Sequence, residues 1–219
     1  MHSLIPSTNL HTYNLSHFQG LPILIERGPF ILEYLEKLYL TIKRALNQYP
    51  RLFAVRFDLR YLDSFFDSLD AHGSAVIERF VESLRAKIKH DRKRAAQRSA
   101  RIHSTSIRYA CGKEYGTEGK PHYHCLLLLN LDAYHTLGNF TSDQENLYCR
   151  IQSAWASALG INWNQSLGLV HIPDNPIYCV RRDNQYFILD ELFRRASYLC
   201  KIETKKLANQ EHSFGCSRI

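Results

Sequence analysis

From Leu52 to Tyr61 the chain reads LFAVRFDLRY, with Phe53, Val55, Phe57, Leu59 and Tyr61 at alternate places and Arg56, Asp58 and Arg60 between them. A period of two puts successive side chains on opposite faces of a strand, so this strand has an apolar face and a charged one. Residues 104–115 (STSIRYACGKEY) alternate again, with Ile107, Tyr109 and Cys111 on one side and Ser106, Arg108 and Glu114 on the other. The turn Gly116-Thr117-Glu118-Gly119 then leads into KPHYHCLLLLN, Lys120 to Asn130, which predicts a hairpin. Short strands are expected near 167–172 and 177–180.

Helical spacing separates these strands. Ile31, Leu35, Leu38, Ile42 and Leu46 form one apolar stripe, opened by Gly28-Pro29 and closed by Tyr49-Pro50. Ile77, Phe80, Val81, Leu84 and Ile88 form a second, with Ser74 as its expected cap and a far end that projects from the core. Leu147, Ile151, Trp155 and Leu159 form a third, behind a capping box of Ser142 and Glu145. A last helix, DELFRRASYLCKIE, is expected to start at Asp190. This order predicts an α+β fold in which an antiparallel sheet of about five strands carries packed helices around a split βαβ centre. An arm (1–20), an N-terminal helix segment packed on the core (21–49), a core (50–205) and a C-terminal tail (206–219) divide the chain. With helices on the apolar strand faces, the opposite face presents Arg56, Asp58, Arg108, Glu114, His122 and His124 together.

Composition narrows the class. At 219 residues and 45% hydrophobic content the chain can bury one core, and it is not a disordered protein. The six cysteines form no CxxC pair and sit mostly in apolar segments, as small hydrophobes in a reducing compartment do. No signal peptide and no apolar run of membrane-spanning length are found, so a cytoplasmic protein without a membrane partner is expected. The formal charge is +7, and residues 85–101 (RAKIKHDRKRAAQRSAR) hold eight Lys or Arg against one Asp, which accounts for the whole surplus. Such a cluster, with Arg92, Lys93 and Arg94 at its centre, suits a polyanion; a solvated helix face is the plain alternative.

Two constellations could carry chemistry. His122 and His124 fall on one side of their strand, with Glu114 across the hairpin on the same face. Two imidazoles and a carboxylate suit a divalent ion such as Mg²⁺ or Mn²⁺ acting as a Lewis acid on a phosphate. Glu118, in the turn, is a second possible carboxylate. On the last helix, Leu192, Phe193, Ala196, Leu199 and Cys200 mark the buried stripe, and 100° per residue puts Arg194, Tyr198 and Lys201 on the other side. A phenol is a poor nucleophile without help, and these cations favour its phenolate.

Glu114, His122-Tyr123-His124 and Tyr198-Leu199-Cys200-Lys201 together resemble the HUH endonuclease superfamily of rolling-circle initiators, relaxases and single-strand transposases. RFDLRY, GKPHYH and RRASYLCK further resemble the YagK/YfjJ family of prophage-borne proteins, related to the inovirus replication initiator, over roughly residues 20–205. The resemblance implies an HUH/RRM-like core over 50–205. It implies a replication initiator that nicks and rejoins single-stranded or origin-hairpin DNA through a 5′-phosphotyrosine on Tyr198, with metal on His122, His124 and Glu114 and with Lys201 steadying the phosphate or phenolate. Arg56, Asp58 and Arg60 occupy the family's first motif and are assigned, with Arg194 and the 92–94 cluster, to holding DNA. The positions four before and after Tyr198 are Arg194 and Ile202, so only a one-tyrosine mechanism is open. Without a Walker loop, unwinding falls to a host helicase, and synthesis to a polymerase. A non-catalytic DNA-binding regulator, a one-tyrosine transposase and a nuclease using activated water are the rival readings.

Overall fold

The computed structural model describes residues 3–63, 74–99, 101–116, 118–140, 145–182, 186–207 and 213–217. The chain opens with four two-residue strands, β1 (Thr12–Tyr13), β2 (His17–Phe18), β3 (Leu21–Pro22) and β4 (Phe30–Ile31), then helix α1 (Leu32–Gln48). Next come β5 (Arg51–Arg60), α2 (Ala75–Arg98), and the hairpin of β6 (Arg108–Tyr115) and β7 (Pro121–Asn130). Helix α3 (Leu147–Leu159), β8 (Val170–His171), β9 (Ile177–Arg181), α4 (Tyr186–Ala196), a 3₁₀ turn (Ser197–Cys200) and β10 (Phe214–Cys216) complete the order. Among the described residues no helix is long and apolar enough to cross a membrane.

The main sheet is antiparallel in the order β10-β6-β7-β5, and β8 and β9 share the outer edge of β5. Phe53, Val55, Phe57 and Leu59 point to the layer made by α2 and α3, where they meet Phe80 and the fully buried Trp155. Leu52, Ala54, Ala110, Leu126 and Leu128 point the other way, to α1 and α4. Both faces are therefore covered, which is why the run Leu126–Leu129 is apolar on both sides of the strand. Each of those four leucines is at most 1% exposed. Burying each is worth about 1.5–3 kcal/mol, enough to hold the ionisable groups at the other end of β7 out of water.

Several expectations change. The even-numbered face of β5 is polar only beyond Ala54, and Arg108 stands at the far, apolar end, where its guanidinium donates to Gln48 (2.8 Å). The arm packs on the core, because Phe18 is buried against Tyr39 and Phe193, with the buried Tyr13 edge-on to Phe18. The tail supplies β10, which pairs with β6 as an edge strand. Ser74 makes no capping bond at α2, and α3 is capped by Asn146, whose side chain accepts from the Cys149 amide (2.9 Å); Ser142 lies outside the described residues. Gly160 ends α3 in the left-handed region (φ 68°), a conformation glycine adopts without strain.

Candidate metal centre and its tyrosine

Strand register assembles the site. Asp58, His124 and His171 lie in one row across β5, β7 and β8, and Arg60, His122 and Glu114 lie in the next across β5, β7 and β6. The Nε2 atoms of His122 and His124 are 3.2 Å apart, and His124 Nε2 is 3.4 Å from a Glu114 oxygen. One donor atom from each of Glu114, His122 and His124 lies within 4.8 Å of the others. The second Glu114 oxygen is buried and has no hydrogen-bond partner. Two imidazole nitrogens and a carboxylate oxygen converging at this spacing form an N/O donor set that fits a divalent ion, and the second Glu114 oxygen, with Lys205 no nearer than 3.8 Å, leaves that carboxylate short of partners.

The surroundings fix these donors. Asp58 meets His124 Nδ1 at 2.5 Å and His171 Nδ1 at 3.3 Å, with Arg56 3.6 Å away. Its carboxylate takes the Nδ1 proton of His124 as a hydrogen bond and leaves Nε2 free to point at the centre. Burial alone would raise the Asp58 pKa, but His124, Arg56 and His171 bring it down to about 2. Glu114, also buried, falls to about 2 through His124, Lys205 and Lys201. Burial and the neighbouring His124 keep His122 below its usual value, so it stands as a neutral ligand. Burial works against a charged His124, yet Asp58 and Glu114 raise its pKa. Replacing Asp58 with Asn is expected to weaken Mn²⁺ binding about tenfold, because the imidazole loses its charged anchor. Titration calorimetry reads this directly, and unchanged affinity would remove Asp58 from the site.

Tyr198 reaches the centre by a route that helical spacing does not describe. Helix α4 begins at Tyr186, before Asp190, and ends at Ala196, so Tyr198 lies in the 3₁₀ turn. Residues three apart eclipse in that geometry, which puts Tyr198 and Lys201 on one side and turns Arg194 away. Lys201 is 4% exposed; its ammonium donates to the Tyr198 hydroxyl (2.7 Å) and pairs with Glu114 (3.1 Å). Two hydrogen-bonding contacts thus link the phenol to the candidate ligand. The Tyr198 ring stands edge-on to His124, centroids 5.0 Å apart, and the Arg56 guanidinium lies 5.0 Å from its centre. Gly112, beside His124 in register, lets the turn dock: a Cβ there would meet the Leu199 carbonyl oxygen at 2.7 Å.

The other assigned cations divide. Arg60 lines the cleft of about 570 Å³ that opens over His122 and His124. Arg194 is engaged by Glu26 (2.6 Å). Arg92, Lys93 and Arg94 lie on the opposite face of the sheet, near the other end of β7 from the histidines. Arg92 is built into the fold by Asp91, Tyr134 and the Ala133 carbonyl, which tethers the α2 end expected to project. Arg94 pairs with Glu145, while Lys93 is exposed. Glu118 lines the same cleft, where it pairs with Lys120, and is not among the three clustered donors. Sequence reasoning missed Lys205 and Thr204, which follow the turn and close over Glu114 (3.8 and 2.9 Å). Their only trace is the run Thr204-Lys205-Lys206, without periodicity to place it.

Fold and site together define a mixed α+β protein in which a buried carboxylate and two histidines face a lysine-held tyrosine. The chain belongs to the YagK/YfjJ C-terminal domain family, whose profile matches residues 14–217. It is 39% identical over 202 residues to the uncharacterized protein YagK of Escherichia coli (strain K12), covering 88% of this chain and 95% of YagK. It is 34% identical over 209 residues to the uncharacterized protein YfjJ of the same organism, covering 88% and 97%. No solved structure matches.

Proposed function

We propose that the chain nicks and rejoins single-stranded DNA through a covalent tyrosyl intermediate on an HUH/RRM-like core, as a prophage- or phage-type replication initiator in the cytoplasm. What supports this above all is the Tyr198 hydroxyl held by Lys201, which is itself paired to Glu114 of the His122, His124 and Glu114 set. A divalent ion there, Mg²⁺ or Mn²⁺, would polarise the scissile phosphate. Tyr198 loses its proton and attacks phosphorus; the Tyr–O–P bond forms, the P–O3′ bond breaks, and the leaving 3′ oxygen takes up a proton. Lys201 stabilises the phenolate and then the phosphate charge, and Arg56 adds a second cation at the ring. Rejoining is the reverse attack by a 3′ hydroxyl. A host helicase and polymerase would unwind and extend the origin.

The test is to incubate the protein with single-stranded origin DNA and Mn²⁺, resolve it on a denaturing gel, and map the modified residue by mass spectrometry. A nucleotide joined through its 5′ phosphate to the Tyr198 oxygen is expected. DNA binding without any adduct would leave a non-catalytic regulator on the same scaffold.

A further inference from the structure

Next to Tyr198, on the Arg56 side, a second cleft of about 510 Å³ opens between β9, α4 and Leu24. That volume lies in the range of small-molecule sites, about 300–1,000 Å³, and has room for a nucleotide. Its rim carries Phe187, 75% exposed in the first turn of α4, with the exposed Ile177 and the half-buried Tyr178 opposite. A single exposed aromatic is ordinary on a surface. Here it overhangs a cleft that also holds Arg56, Arg194 and Arg195 against the lone acid Glu191. Arg194 is committed to Glu26, and among the described residues Arg195 reaches only the Asn175 carbonyl, at 3.3 Å.

Arg56 supplies the second, independent sign of a ligand. Its side chain is about nine-tenths buried, and its Nε is a buried donor without a hydrogen-bond partner. A buried donor left unpaired is costly, and Arg56 is itself part of the lining of this cleft. Arg56 also ties this cleft to the first: it pairs with Asp58, which lines the cleft over the histidines, and it lies against the Tyr198 ring. An anion held by Arg56 would therefore sit beside the phenol.

We infer that this cleft is a nucleotide subsite for single-stranded DNA flanking the cut, in which Phe187 stacks on an unpaired base and Arg56 and Arg195 hold its phosphate. The inference rests on the nicking reading for the position of the cut and stands apart from it for binding. Aromatic rings accept any base face while arginines track the backbone, so the subsite reads strandedness and not sequence. A duplex, with its bases stacked inward, would not offer the face that Phe187 needs.

Fluorescence anisotropy with a labelled oligothymidine in EDTA measures binding free of chemistry. Phe187→Ala is expected to weaken binding about tenfold, the usual effect of losing one stacked base. Arg195→Ala is expected to weaken it and reduce its salt dependence. The melting temperature should barely move, since Phe187 is exposed and the half-buried Arg195 gives up only a long bond to the Asn175 carbonyl, and Leu40→Ala, an exposed apolar change on α1, should bind as wild type does. No binding by the wild type, or equal binding by Phe187→Ala, would overturn the subsite. An adduct on Tyr198 formed equally well by wild type and Phe187→Ala at limiting DNA would sink the subsite and leave nicking intact. Weakened binding by Phe187→Ala in a protein that forms no adduct would do the opposite.

Discussion

Tyr198→Phe is expected to slow adduct formation and strand cleavage at least about a thousandfold while leaving Mn²⁺ affinity and the melting temperature close to wild type. The size follows from removing a nucleophile from a set of groups that act as a unit. The selectivity follows from the contacts. The hydroxyl meets Lys201, and Lys201 keeps Glu114 as its partner when the hydroxyl is gone. The ring that lies against His124 and Arg56 is unchanged in phenylalanine. No buried group is orphaned, so a loss of activity could not be blamed on unfolding. Gel quantification of the adduct, with calorimetric titration of Mn²⁺ on the same preparations, checks both halves. Cleavage that survives the substitution would assign the cut to activated water at the histidines and sink the tyrosyl intermediate.

How much of this centre the sequence discloses depends on which interaction sets each residue's direction. Glu114, His122 and His124 are legible because a strand has a period of two and a short turn fixes the register, and Glu114 indeed faces His122 across β6 and β7. The cover on both faces is half legible: the unbroken leucines of β7 announce it, but alternation in β5 suggests an open charged face. Tyr198 is legible as a candidate and not as a geometry. The switch from α4 to a 3₁₀ turn comes from docking the Leu199 carbonyl onto Gly112 and from Ser197, whose hydroxyl receives the Leu24 amide (3.0 Å). Those contacts join positions far apart in the chain, and local spacing carries no record of them. The basic cluster is only partly legible for a related reason. Charge counts do not show that Arg92 is consumed by Asp91 and Tyr134. Lys205, Thr204 and β10 come from a stretch with no period at all, and only the closed fold gives them a place.

Glu114 carries the other large effect, since it joins stability to metal binding. Its carboxylate lies 1% exposed between His124, Lys201, Lys205 and Thr204. Folding lowers its pKa from 4.5 to about 2, so the native state binds fewer protons than the unfolded chain across that interval. Its contribution is therefore present above about pH 5 and is lost as pH falls toward 2, in step with Asp58. Lys205 governs the other limb. Burial brings its pKa from 10.5 down to about 8, partly offset by Glu114, so holding it charged costs stability that returns as pH rises from 8. Glu114→Gln removes the only carboxylate against these two ammonium groups among the described residues. Breaking such a buried pair costs about 3 kcal/mol, at the low end of its range because Lys205 can release its proton. For a chain of this length that is roughly 6–12 °C in melting temperature. Measured in chelator, the gap between wild type and Glu114→Gln is expected to be widest between about pH 5 and 8. It should narrow in acid, where the wild-type carboxylate is also protonated, and in alkali, where Lys205 is neutral in both proteins. Mn²⁺, which should raise the wild-type melting temperature, should raise that of Glu114→Gln far less. A gap of constant size at every pH would show that Glu114 acts by packing alone, and an equal Mn²⁺ effect on both proteins would remove it from the metal site.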